Sequence, residues 1–142
     1  MEQKIIIKTV IEILGAPKEH VEETLKKVVE KLKEGFKVRN AKTYEAQETE
    51  LEKHKLWTAF TEAEIQMENI SKITDFCFDF MPSSIEIIEP DELRIKSPEY
   101  AELINELLAR LHQYDMIVKK LNAENILLKK QIISSSKKQH IQ

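Results

Sequence analysis

Along residues 4–14, KIIIKTVIEIL, positions of one parity are Ile5, Ile7, Thr9, Ile11 and Ile13; the other parity holds Ile6, Lys8, Val10, Glu12 and Leu14. β-Branched residues with a period of two predict a strand. Apolar side chains on both faces predict that its second face is at least partly covered. Gly15-Ala16-Pro17 ends the strand, and Pro17 suits the first turn of a helix. The period then lengthens: over 17–34, Val21, Leu25, Val28, Val29 and Leu32 fall on one stripe of an amphipathic helix. Acids crowd its start and lysines its end, as the helix dipole favours, and Gly35 is placed to end it.

A strand is expected over 36–50 and a clearer one over 56–68. In the second, Trp57, Ala59, Thr61, Ala63, Ile65 and Met67 face one way and Phe60, Glu62, Glu64 and Gln66 the other. The charged segment between, 45–55, fits a hairpin tip or a short helix. Asn69 is the expected cap of a helix over 70–80, whose stripe is Ile70, Ile73, Phe76, Cys77 and Phe80. Met81-Pro82-Ser83 stops it, residues 84–90 read as a short strand, and ELRI (92–95) is a candidate extension after Pro90. The order β-α-β-β-α-β across 1–96 resembles the split βαβ arrangement of the ferredoxin-like fold, an α+β architecture. A likeness at that level implies no particular activity.

Ser97 and Pro98 are placed to start another helix, and from Tyr100 to Ile133 there is neither glycine nor proline. Here the period is seven. Ile104, Leu111, Val118, Asn125 and Ile132 take position a; Tyr100, Leu107, Tyr114, Leu121 and Leu128 take position d. A repeat this long predicts a coiled coil over 97–133. Aliphatic a positions with mostly Leu at d favour a parallel pair, in which Asn125 can meet its symmetry mate and set register and strand number. In such a pair Arg110 faces Asp115, Glu124 faces Lys129, and Leu103 meets Leu108. The plainer alternative is a helix packed on its own domain, with Asn125 at a wet position. Leu103, Leu108, Met116 and Ile117 are apolar off the seam, and Ile126 and Leu127 fall at b and c. Residues 134–142, SSSKKQHIQ, are expected to be a disordered polar tail.

Charge narrows the function classes. Residues 1–96 hold 15 Lys/Arg against 20 Asp/Glu, a balance of −5, and residues 97–142 hold 7 against 5, or +2. An acidic body argues against a general nucleic-acid binder, which needs phosphate neutralisation. The aromatic residues available for base stacking on the sheet, Phe60 and Tyr44, stand beside Glu62 and Glu64. The acidic residues before the heptads also exclude a zipper transcription factor, which carries a basic helix there. A single cysteine, Cys77, rules out an internal disulfide and fits a reducing compartment. The first residues do not read as a signal peptide, and no apolar run approaches the roughly 20 residues of a membrane span. Cytoplasmic localisation without a membrane partner is the expectation.

His20, His54, His112 and His140 are scattered outside metal-ligand spacing. Glu62 and Glu64 could share acid and base roles, yet no nucleophile, phosphate loop or paired-cysteine motif accompanies them. The expectation is a non-enzymatic oligomerisation or scaffold protein without cofactor. It associates with itself through Ile104, Leu107, Leu111, Tyr114, Val118, Leu121, Asn125, Leu128 and Ile132. Ile126, Leu127, Phe60 and the acidic 45–55 segment are candidate surfaces for a further protein. The alternative is a small-molecule-responsive regulatory domain with its ligand at a domain or subunit interface, sought near Val10, Leu14 and the 15–17 loop.

Overall fold

The computed structural model describes residues 4–141 and divides into two units, one ending at Arg94 and one beginning at Ile95. The boundary lies two residues before the expected one. The first unit runs β1 (Ile5–Gly15), α1 (Lys18–Gly35), β2 (Lys37–Thr43), β3 (Gln47–Leu51), β4 (His54–Met67), α2 (Ile70–Phe80) and β5 (Ser84–Glu89). Among the described residues the five strands form one antiparallel sheet in the order β2-β4-β1-β5. β3 pairs with β4 beyond the end of β2, along the same edge. The unit is therefore α+β.

The alternation along β1 and β4 decides which face α1 and α2 cover. Ile5, Ile7 and Ile11 of β1 and Ala59, Ala63, Ile65 and Met67 of β4 are buried with Val21, Leu25, Val29 and Leu32 of α1 and Phe76 of α2. Each fully buried aliphatic side chain of this kind contributes about 1.5–3 kcal/mol. Phe76 lies 5.5 Å from both Phe36 and Phe80, edge-on to the first and stacked on the second. Two buried threonines on this face keep their hydroxyls satisfied. Thr9 donates to the Ser84 carbonyl at 2.8 Å, and Thr61 shares a 2.8 Å hydrogen bond with Thr43. On the opposite face Ile6 is buried, Val10 is half-buried and Leu14 is exposed.

Local chemistry explains where the chain departs from the periodic expectation. The strand expected over 36–50 is two strands. Between them the Tyr44 N–H donates to the Phe60 carbonyl at 3.0 Å, and Ala46 is buried. Residues 45–55 form no helix: β3 pairs with β4 from Gln47–Thr58 to Leu51–His54. The turn residues Glu52 and Lys53 have φ of 49° and 68°, the two positive values that a tight hairpin turn requires. Asn69 caps α2 as expected, its side chain accepting from the Lys72 N–H at 2.9 Å. Met81, with φ 45°, ends that helix in the left-handed conformation and donates its N–H to the Cys77 carbonyl. Gly35 closes α1 without a positive φ; the Phe36 N–H, on extended backbone, caps Leu32 at 2.9 Å. Residues 92–95 are not strand. Pro90 removes a ladder donor just after β5, and Leu93 instead packs against the core.

The second unit contains α3 (Ser97–Ile141), 45 residues and roughly 68 Å long. Its first bond runs from the Tyr100 N–H to the Lys96 carbonyl, so Lys96 rather than Ser97 stands at the start. The helix also continues through 134–141, expected to be a disordered tail; Gln142 lies outside the described residues. That segment has no glycine or proline to stop a helix, and its lysines suit the negative end of the dipole. No helix among the described residues is long and apolar enough to cross a membrane.

Candidate association surface

At about 100° per residue, Val118, Leu121, Asn125, Leu128 and Ile132 fall within an arc of about 80° on α3. The helix is regular through all of them. Val118, Leu121, Leu128 and Ile132 are 56–68% exposed, and Leu111 and Tyr114 are exposed as well. Ile104 and Leu107 are half-buried. The structure thus aligns all nine expected seam residues on one helix and leaves those from Leu111 onward accessible in the single chain. Asn125 is exposed and makes no side-chain hydrogen bond among the described residues.

Two of the charges that flank the seam, Arg110 and Asp115, have partners on their own helix. Arg110 Nη2 stands 3.1 Å from Glu106 Oε1, and Lys119 Nζ stands 2.7 Å from Asp115 Oδ2, both at i, i+4. Such exposed pairs are worth about 0.3–0.5 kcal/mol, weak enough to be shared with or exchanged for a neighbouring chain. Ile126 and Leu127, expected to form one partner surface, are both exposed but point about 100° apart. Both lie more than about 100° from the centre of the arc that holds Val118 and Leu128, on opposite flanks of the helix. A hollow along this helix is lined by Leu128, Gln131, Ile132, Ser135, Ser136 and Gln139. These residues lie on the same face of the helix as Leu121 and Asn125.

In the first unit Phe60 already has an aromatic partner. Its ring stacks on Tyr44 at 4.5 Å and 23°, the Tyr44 hydroxyl donates to Glu62 Oε2 at 3.3 Å, and Lys42 Nζ lies 4.7 Å from the Tyr44 ring centre. Glu62 stands opposite Lys42, and Glu64 opposite Lys8, which in turn faces Glu86 on β5. Opposite charges across strands stabilise the sheet, and they give each of the two glutamates a cross-strand cation.

Near the loop suggested for a ligand, Lys18 at the start of α1 reaches Glu45 Oε1 at 2.9 Å and lies 5.4 Å from the Trp57 ring centre. The hydrogen bond to Glu45 and its charge raise the Lys18 pKa above its ordinary value, and the same contact lowers that of Glu45. Burial pushes the Cys77 thiol up. These contacts join residues far apart in the chain, and no periodic signal announces them. No group of three or more His, Cys, Asp and Glu side chains suited to a metal occurs among the described residues. The His140 side chain lies outside them.

The chain belongs to the MJ0538 family, whose model it matches over residues 6–139, a span that includes the sheet, both of its helices and nearly all of α3. No curated protein and no solved structure matches it.

Proposed function

We propose that this protein is a non-enzymatic scaffold that associates with itself through a parallel coiled coil of α3 and holds its α+β heads in fixed register for a protein partner. The observation that carries the proposal is the row of exposed apolar residues at heptad spacing, interrupted once by Asn125. Leaving such a row in water forgoes about 1.5–3 kcal/mol for each side chain that a partner helix would bury completely. Asn125 favours the parallel arrangement. In an antiparallel pair overlapping from Tyr100 to Ile132, Asn125 would face Leu107 and Asp115 would face its own symmetry mate. In the parallel pair Asn125 meets Asn125, and both charged contacts are attractive.

A ferredoxin-like head fits the same proposal: the order β2-β4-β1-β5, with one helix after β1 and one after β4, is what the split βαβ arrangement requires. Cytoplasmic residence accords with the lone free cysteine. The test is oxidative cross-linking of Asn125→Cys in a Cys77→Ser background. Disulfide-linked pairs forming rapidly at micromolar protein support parallel, in-register helices. Absence of the bond, with Leu107→Cys/Asn125→Cys linking instead, would establish an antiparallel pair and remove the fixed-register proposal.

A further inference from the structure

A two-stranded seam uses positions a and d and leaves a second stripe of α3 uncovered. Asp115, Asn122, Ile126, Lys129 and Ile133 fall within an arc of about 60°, centred roughly 90° from the seam. Ile126 and Ile133 are 49% and 55% exposed, and Asn122 is exposed as well. The stripe adjoins the seam. Over 118–133 the exposed apolar residues other than Leu127 therefore span an arc of about 160°, broken by Asn122, Asn125 and Lys129; Leu127 stands alone about 100° outside it. The arc is much wider than a strict a/d seam, and it matches a helix with two helical neighbours.

The order of residues along the stripe identifies the second neighbour. Asp115 lies seven residues before Asn122 and Lys129 seven after it. A two-fold axis through Asn122, with the helices antiparallel, places Asp115 opposite the Lys129 of the second copy, and does so twice. The same axis sets Ile126 against Val118 and Ile133 against Leu111, seam residues at position a that border the stripe and would receive the isoleucines on the flank the coil leaves open. At the axis Asn122 meets its own copy, and a carboxamide carries both donors and acceptors, so the two can exchange hydrogen bonds.

Other arrangements of the stripe pair it poorly. A parallel one would stack Asp115 on Asp115 and Lys129 on Lys129, like charges facing each other. An antiparallel one with its axis a turn further on, at Ile126, would set Ile133 against Lys119 and Asn122 against Lys130. The Asp115 carboxylate holds Lys119 on its own helix at 2.7 Å and retains lone pairs for a further donor.

We infer that two parallel coils dock antiparallel on each other through Asn122, Ile126 and Ile133, flanked by Asp115–Lys129 pairs, to give an assembly of four copies. A perpendicular two-fold axis closes such an assembly, whereas a second parallel contact of the same kind would propagate without end. This inference rests on the coiled coil proposed above and assigns Ile126 to a second copy of this chain rather than to a foreign protein.

The experiment is the solution mass of the full chain by light scattering, with helix content checked by circular dichroism. The wild type should have four times the chain mass. Ile126→Glu/Ile133→Glu and Asn122→Asp, all outside the a/d seam, should each halve that mass at unchanged helicity; the second sets carboxylate against carboxylate at the axis. A wild type of two chains, unmoved by Ile126→Glu/Ile133→Glu, overturns the second stripe and leaves the coil intact. Four chains in the wild type and in either variant, or three chains in the wild type, also overturn it. A monomeric wild type contradicts the coil itself.

Discussion

Lys18 Nζ lies 2.9 Å from Glu45 Oε1, tying the start of α1 to the step between β2 and β3. Glu45 is exposed and Lys18 only half-buried, so the contact orients this segment more than it stabilises the fold. Its pH dependence has two limbs. Lys18 has a raised pKa, so its contribution is complete below the ordinary value of 10.5 and fades as pH rises through the folded value. Glu45 has a lowered one, so its contribution is present above the ordinary 4.5 and fades as pH falls through the folded value. The stability difference between wild type and Lys18→Met, from urea denaturation across pH, should form a low plateau that declines at both ends.

Met81 adopts a left-handed backbone conformation and is 74% exposed, so its side chain gives up little when removed. Met81→Gly relieves the strain of a Cβ at positive φ and should stabilise the head by about 1 kcal/mol. The urea midpoint should rise at constant slope.

Gly35 predicts the opposite kind of change. Its φ is not positive, and a Cβ there would meet nothing within 4 Å. Gly35→Ala should therefore stabilise by about 0.4–1 kcal/mol through loss of unfolded-state freedom, read from the same denaturation curves.

Cys77 lies on the half-covered stripe of α2, and burial raises its thiol pKa. Alkylation by iodoacetamide at pH 8 should be slower than that of the urea-unfolded chain by more than about tenfold. Equal rates would contradict the packing of α2.

Regular periods made much of this architecture readable from the chain. Alternation along 5–13 and 57–67 identified the buried faces of β1 and β4, and the Val21–Leu32 stripe identified that of α1. The 45–55 hairpin was ambiguous because Glu52-Lys53 adopts its turn without the Asn-Gly or Asp-Gly signal. Tyr44–Phe60 and Lys18–Glu45 were hidden because tertiary pairing, not spacing, brings them together. The helix through 134–141 was missed because a polar composition speaks to packing, whereas helix continuation needs only the absence of a breaker. The long helix α3 was legible because no glycine or proline interrupts residues 100–133; what covers its apolar face depends on a second surface.

The most direct test of self-association through α3 is the solution mass of the full chain beside Leu121→Glu/Leu128→Glu, both across a range of concentrations. The wild type should be an oligomer of one defined mass, and the double variant a folded species of at most half that mass, because two charged side chains at adjacent d positions cannot be buried between helices. A monomeric wild type, or a double variant that keeps the wild-type mass, would contradict the role assigned to α3.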